Sequence, residues 1–137
     1  MSDNVGFIRI SSKVGAPDRS KMIEVRFLVD TGSWYLLLQP GLAKELNLKT
    51  VGKVKLTLAD KRVVEADLAP VYVSVLDREM ITLAALMEVP EPLLGTSTLE
   101  ALGLALDPTT GEVKPVGPAL LTVHSSPDEL SHHVAES

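Results

Sequence analysis

Asp30 closes an apolar run, Phe27-Leu28-Val29, and is followed by Thr31-Gly32-Ser33. A lone carboxylate set against Phe27, Leu28 and Val29 is costly to desolvate unless it has partners or work to do. Two such carboxylates brought face to face resist joint ionisation and share one proton. One can then take a proton from a water while the other gives its proton to a carbonyl oxygen. Gly32 lets a second backbone come close, and the Thr31 hydroxyl can brace neighbouring structure. Asp30 is the only aspartate followed by Thr-Gly or Ser-Gly. A two-carboxylate reaction therefore needs a second copy of the chain. Taken alone, Asp-Thr-Gly is also an ordinary turn, so its surroundings must decide.

Those surroundings read mainly as β. Ile23, Val25, Phe27 and Val29 alternate with Glu24 and Arg26, which predicts a half-buried strand running into Asp30. Phe7, Ile8 and Ile10 make an earlier apolar run, ended by a loop at Gly15-Ala16-Pro17-Asp18. Trp34 to Leu38 is apolar, and Pro40 to Leu46 reads as a short helix with proline in its first turn. Val54 to Leu58 and Val63-Val64 predict a hairpin around Ala59-Asp60-Lys61-Arg62, and Val71, Val73 and Val75 a further strand. Leu76 to Glu79 turns the chain into Met80 to Met87. After Val89-Pro90-Glu91-Pro92 come Leu93-Leu94-Gly95 and a Ser97/Glu100 spacing that predicts a capped helix from Thr98, ended at Gly103. Leu104 to Leu106 and Val113 to Val116 predict a last hairpin. A strand, a glycine-bearing turn and a short leucine-containing helix occur twice, around Asp30 and around Gly95.

Composition narrows the classes. With 45% apolar and 23% charged residues, 137 residues suit one globular domain. We assign residues 1–123 to that domain and 124–137 to a polar C-terminal tail. A net charge of −5 with no basic cluster beyond Lys61-Arg62 argues against nucleic acid or an anionic membrane as the partner. No apolar run reaches the roughly 20 residues of a spanning helix, and Met1 to Asn4 does not read as a signal peptide. The expectation is a cytoplasmic protein. Cysteine is absent, which excludes disulfides and thiolate metal sites. His124, His132 and His133 fall in the polar tail and read as solvated residues, not as metal ligands. Asp60 and Asp107 read as turn residues, and Trp34 as either core or a wall of a cleft.

Phe27-Leu28-Val29-Asp30-Thr31-Gly32-Ser33 resembles the active-site motif of the retropepsin-like aspartic proteases. Leu93-Leu94-Gly95 resembles the family's second signature, an apolar pair and a glycine before the C-terminal helix. Leu99 to Leu104, Leu106-Asp107-Pro108, Gly111 and Pro115 resemble cellular and prokaryotic members more than viral ones, so the likeness spans residues 5–116. It implies a β-barrel-like protomer with short helices, a flap hairpin over the cleft, and a homodimer with its site on the twofold axis. It further implies an endopeptidase acting on peptides or unfolded proteins without cofactor or metal. Asp30 would be the catalytic carboxylate, Thr31 would bond across the dimer, Gly32 would meet the substrate backbone, and Ser33 would support the loop. Residues 58–63 would form the flap, with Leu58, Ala59, Asp60 and Lys61 over the substrate. Two departures stand out: the flap tip has no glycine, and Thr96 follows Gly95 where viral members often carry arginine. The first leaves room for a different class of function, a dimer of this fold that holds peptides or scaffolds a partner without turnover.

Overall fold

Period-two burial from Met22 to Val29 produces the strand that carries the site. Phe27 and Val29 are buried, Ile23 and Val25 half-buried, and Glu24 and Arg26 face solvent. A computed structural model describes residues 8–58 and 60–117. Nine strands and two short helices are found among them: β1 (Arg9–Gly15), β2 (Met22–Val29), β3 (Leu36–Leu38), α1 (Pro40–Glu45), β4 (Gly52–Thr57), β5 (Val63–Val75), β6 (Arg78–Leu86), β7 (Leu93–Leu94), α2 (Thr96–Ala101), β8 (Leu104–Asp107) and β9 (Glu112–Pro115). The tail from residue 124, its histidines, the apolar stretch 119–123, Phe7 and Ala59 lie outside the described residues.

The main sheet runs β1-β2-β7-β3-β6-β5-β4, and β1 also pairs with β5. That second pairing closes β1, β2, β7, β3, β6 and β5 into a barrel and leaves β4 outside it, attached to β5 alone. Val14, Phe27, Leu36, Leu38, Val71, Val73 and Leu94 fill the interior, with Leu99 of α2 and Leu102 at its C-terminal cap packed among them. The β4–β5 hairpin projects from this closed sheet.

Three expectations need correction. Val63-Val64 and Val71 to Val75 are not two strands but parts of the single strand β5, which passes through Pro70. The Leu68 carbonyl accepts from the Val51 N–H at 2.8 Å, so Leu68 turns its backbone groups toward the β4 edge. Pro70, two residues on, faces the same edge. Pairing with β4 ends at Leu68 and pairing with β1 begins at Tyr72, so the missing N–H of Pro70 breaks no ladder bond. Second, α2 starts at Thr96 with Gly95 as its N-cap and no side-chain cap, not at Thr98 behind a Ser97/Glu100 box. The Ser97 hydroxyl donates instead to the Trp34 carbonyl, because the helix start is pressed against the loop that follows Asp30. Third, the Asp30 carboxylate is not sunk among Phe27, Leu28 and Val29 but is half-exposed.

Gly103 ends α2 at φ +73°, the left-handed conformation expected of a glycine just past a helix. Within α2, Thr98 is 1% exposed and its hydroxyl has no hydrogen-bond partner among the described residues. Valine has nearly the same shape without the unpaired dipole. Thr98→Val is expected to stabilise the fold by about 1 kcal/mol, read as a Tm rise of a few degrees in thermal unfolding.

Candidate active site

Asp30 is placed by two strands that neighbour each other only in space. β2 pairs in parallel with β7, Leu28 beside Leu93 and Val29 beside Leu94, and the Asp30 N–H donates to the Leu94 carbonyl at 3.0 Å. Beyond Asp30 the chain turns at once. The Ser33 N–H donates to the Asp30 carbonyl at 3.1 Å, and the Gly32 N–H donates to Asp30 Oδ1 at 2.9 Å. One carboxylate oxygen is thereby oriented by its own loop. A Cβ on residue 32 would stand 3.3 Å from that oxygen, closer than most side-chain contacts, so glycine suits the position. Thr31 is exposed beside it. The Ser33 hydroxyl donates to the Tyr35 carbonyl at 3.0 Å, so Ser33 braces the loop.

Gly95 lies directly beneath this loop. A Cβ there would fall 2.5 Å from the Ser33 and Tyr35 carbonyl oxygens and 2.8 Å from that of Trp34. Only glycine permits that approach. It lets the Thr96 N–H reach the Ser33 carbonyl at 2.8 Å and the Ser97 N–H reach that of Trp34 at 3.3 Å. The Asp30 loop and the start of α2 are thus held as one unit.

Asp30, Gly32 and Ser33 open into a cleft of about 560 Å³ whose other walls are Trp34, Tyr35, Leu37, Met87, Val89, Leu93 and residues 55–58 of the hairpin. Trp34, left open between core and wall by the sequence, is 63% exposed and belongs to the wall. Val54 and Leu56 of β4 pack over Leu37, Ala66 and Ala85, which holds the root of the hairpin against the barrel. The cleft lining is largely aliphatic and aromatic, and Asp30 is the single carboxylate among its lining residues.

Leu58 lines the cleft, whereas Asp60 and Lys61 are exposed at the turn; Ala59 lies outside the described residues. The Lys61 N–H donates to the Leu58 carbonyl and the Leu58 N–H to that of Arg62, each at 2.8 Å. Lys61 takes φ +70°, so lysine occupies the left-handed position that glycine usually fills. The Asp60 carboxylate accepts from the Arg62 backbone N–H at 3.0 Å and from its guanidinium at 2.6 Å. These two bonds, the backbone one first, hold the Asp60 carboxyl below its ordinary value. A depressed carboxyl stabilises the folded state above its unfolded value and loses that contribution only as pH falls through the lower folded one. The tip therefore keeps its clamp through moderately acid solution.

Two features of the site carried no signal in the sequence: Met87 and Val89 as walls, and the backbone packing beneath Gly95. Trp34, at the head of the apolar run to Leu38, was left open between core and cleft wall, and its place among the lining residues decides for the wall.

Residues 20–98, more than half the chain, match a family model described as aspartyl protease. No curated protein matches the sequence. Among solved structures, the retroviral EIAV protease complexed with the inhibitor HBY-793 aligns with a TM-score of 0.59 at 18% identity, covering 71% of this chain and 88% of that one. At that identity the likeness bears on the fold alone, a retropepsin-like barrel.

Proposed function

The chain belongs to the aspartyl protease family, and from that premise we propose that two copies meet at their Asp30 loops and hydrolyse peptide bonds with the paired carboxylates. The observation that carries this reading is the cleft itself. It is walled in part by residues 55–58 of the hairpin and holds one half-exposed, loop-oriented carboxylate where the chemistry needs two.

In the dimer the two Asp30 side chains share one proton. The ionised carboxylate takes a proton from a water as its oxygen attacks the peptide carbonyl carbon. The protonated partner gives its proton to the carbonyl oxygen. The tetrahedral intermediate then collapses with proton transfer to the amide nitrogen, and the C–N bond breaks. Thr31, exposed beside Asp30, bonds across the twofold axis. Gly32 admits the substrate backbone, and the hairpin from Leu58 to Lys61 closes over it. The substrates are peptides or unfolded proteins, because only an extended chain can lie between flap and barrel with its apolar side chains against Trp34 and Leu56.

A second reading, a dimer that grips peptides without turnover, is favoured by one feature: the hairpin tip has no glycine and carries the exposed Asp60–Arg62 pair in its place. Digestion of an unstructured protein at acid pH, with and without pepstatin, separates the two when run beside light scattering. The expected result is a particle of about twice the 14.7 kDa chain mass and cleavage that the inhibitor abolishes. A strictly monomeric species sinks both readings, and an intact, inactive dimer selects the second.

A further inference from the structure

We propose that Arg78, at the start of β6, is the positioning residue of the Asp30 loop and acts on it through α2. A helix ends with carbonyl groups that have no partner inside it, and the last turn of α2 contains no basic residue. Its end is served from elsewhere. Arg78 Nη1 donates to the Leu102 carbonyl at 2.9 Å and lies 3.4 Å from that of Gly103, and it also donates to the Gly117 carbonyl just past β9. All three carbonyls are approached by the one nitrogen Nη1, which the rigid guanidinium plane holds in place, whereas an ammonium on a flexible stem loses more freedom on taking the same position. Its position is set by the hairpin turn before it, where Leu76 and Asp77 take φ +50° and +65° and Val75 pairs directly with Arg78.

The opposite end of α2 is the end that grips the site. The Thr96 N–H and hydroxyl both donate to the Ser33 carbonyl, and the Ser97 N–H and hydroxyl both donate to that of Trp34. The helix is six residues long, about 9 Å at the α-helical rise. A strut so short passes any displacement of one end to the other. Buried Leu99 and Thr98 keep α2 on the barrel without Arg78, so removing the guanidinium should loosen its alignment and leave the fold intact. Misplacement then reaches Ser33, Trp34 and the turn that orients Asp30.

The test compares Arg78→Lys and Arg78→Met dimers with the wild type. Its kinetic arm rests on the peptidase reading; its spectroscopic arm does not, because Trp34 is the only tryptophan and reports on the loop directly. Both variants are expected to dimerise and unfold cooperatively. The kcat on a peptide substrate should fall roughly tenfold for lysine and up to about a hundredfold for methionine, with KM within about twofold. Acrylamide quenching of Trp34 should rise in the same order. If methionine prevents folding, the lysine variant decides alone. If the wild type shows no turnover, the peptidase reading fails by itself and the quenching arm still decides. A folded Arg78→Lys dimer with wild-type Trp34 quenching overturns the proposal, as does a raised KM with kcat intact.

Discussion

On the proposed mechanism, Asp30→Asn is expected to fold and dimerise like the wild type and to lose peptidase activity by about 10⁴-fold. The fold survives because the asparagine side-chain oxygen can accept the same Gly32 N–H that Asp30 Oδ1 accepts at 2.9 Å. The position is half-exposed, so the new amide is not left buried without partners. Association can strengthen, since two facing carboxylates repel when both are ionised and two amides do not. In the proposed dimer the substitution changes both halves of the symmetric pair, so catalysis should be lost. No group remains to take a proton from water, and none to give one to the carbonyl. The wild-type rate should decline on both sides of an acid optimum, where the pair is doubly protonated or doubly ionised. Turnover of a peptide library, followed by mass spectrometry, checks the prediction, with light scattering to verify the dimer. Full activity in Asp30→Asn would refute the mechanism.

Gly95→Ala is expected to damage the fold itself. The added methyl would lie 2.5 Å from two carbonyl oxygens and 2.8 Å from a third. All three are backbone atoms of residues 33–35, so no side chain can swing aside. The loop must lift away from α2, which strains the bonds from Thr96 and Ser97 to Ser33 and Trp34. Overpacking of this kind, with lost hydrogen bonds added, should cost about 3 kcal/mol or more. In thermal unfolding that appears as a Tm lower by roughly 10 °C. Gly41→Ala provides the control: it lies inside α1, and a Cβ there meets nothing within 4 Å. That change should be neutral or stabilising by about 0.5–1 kcal/mol. Equal stability of the two variants would show that the loop yields to α2 without cost.

How the site could be read from the sequence depended on the range of the interactions involved. The strand into Asp30 was legible because burial of Ile23, Val25, Phe27 and Val29 follows a two-residue period that neighbours alone reveal. The β8–β9 hairpin and the left-handed Gly103 were legible for the same reason: turn chemistry is written within a few residues. Ser97 misled because its spacing from Glu100 satisfies a local capping rule, while a carbonyl 63 residues away in the chain competes for its hydroxyl and wins. Val63-Val64 and Val71 to Val75 read as separate strands because nothing local shows that β5 continues through Pro70. Proline ordinarily argues against a central strand, and only the stagger between β4 and β1 makes its missing N–H harmless.

The sequence by itself determined a mainly β chain, the Asp30-Thr31-Gly32 turn at the end of an apolar strand, a hairpin after it, and a glycine before the last helix. Each is set by local period, backbone conformation or the chemistry of one residue type. Tertiary structure alone decided that β2 and β7 run side by side, that Gly95 must be glycine because three carbonyls crowd it, that Trp34 faces the cleft, and that Arg78 serves the far end of α2. Each of these rests on groups distant in sequence meeting within a few ångströms. Such meetings follow from barrel closure, which depends on all the strands at once and leaves no period or motif in any single segment.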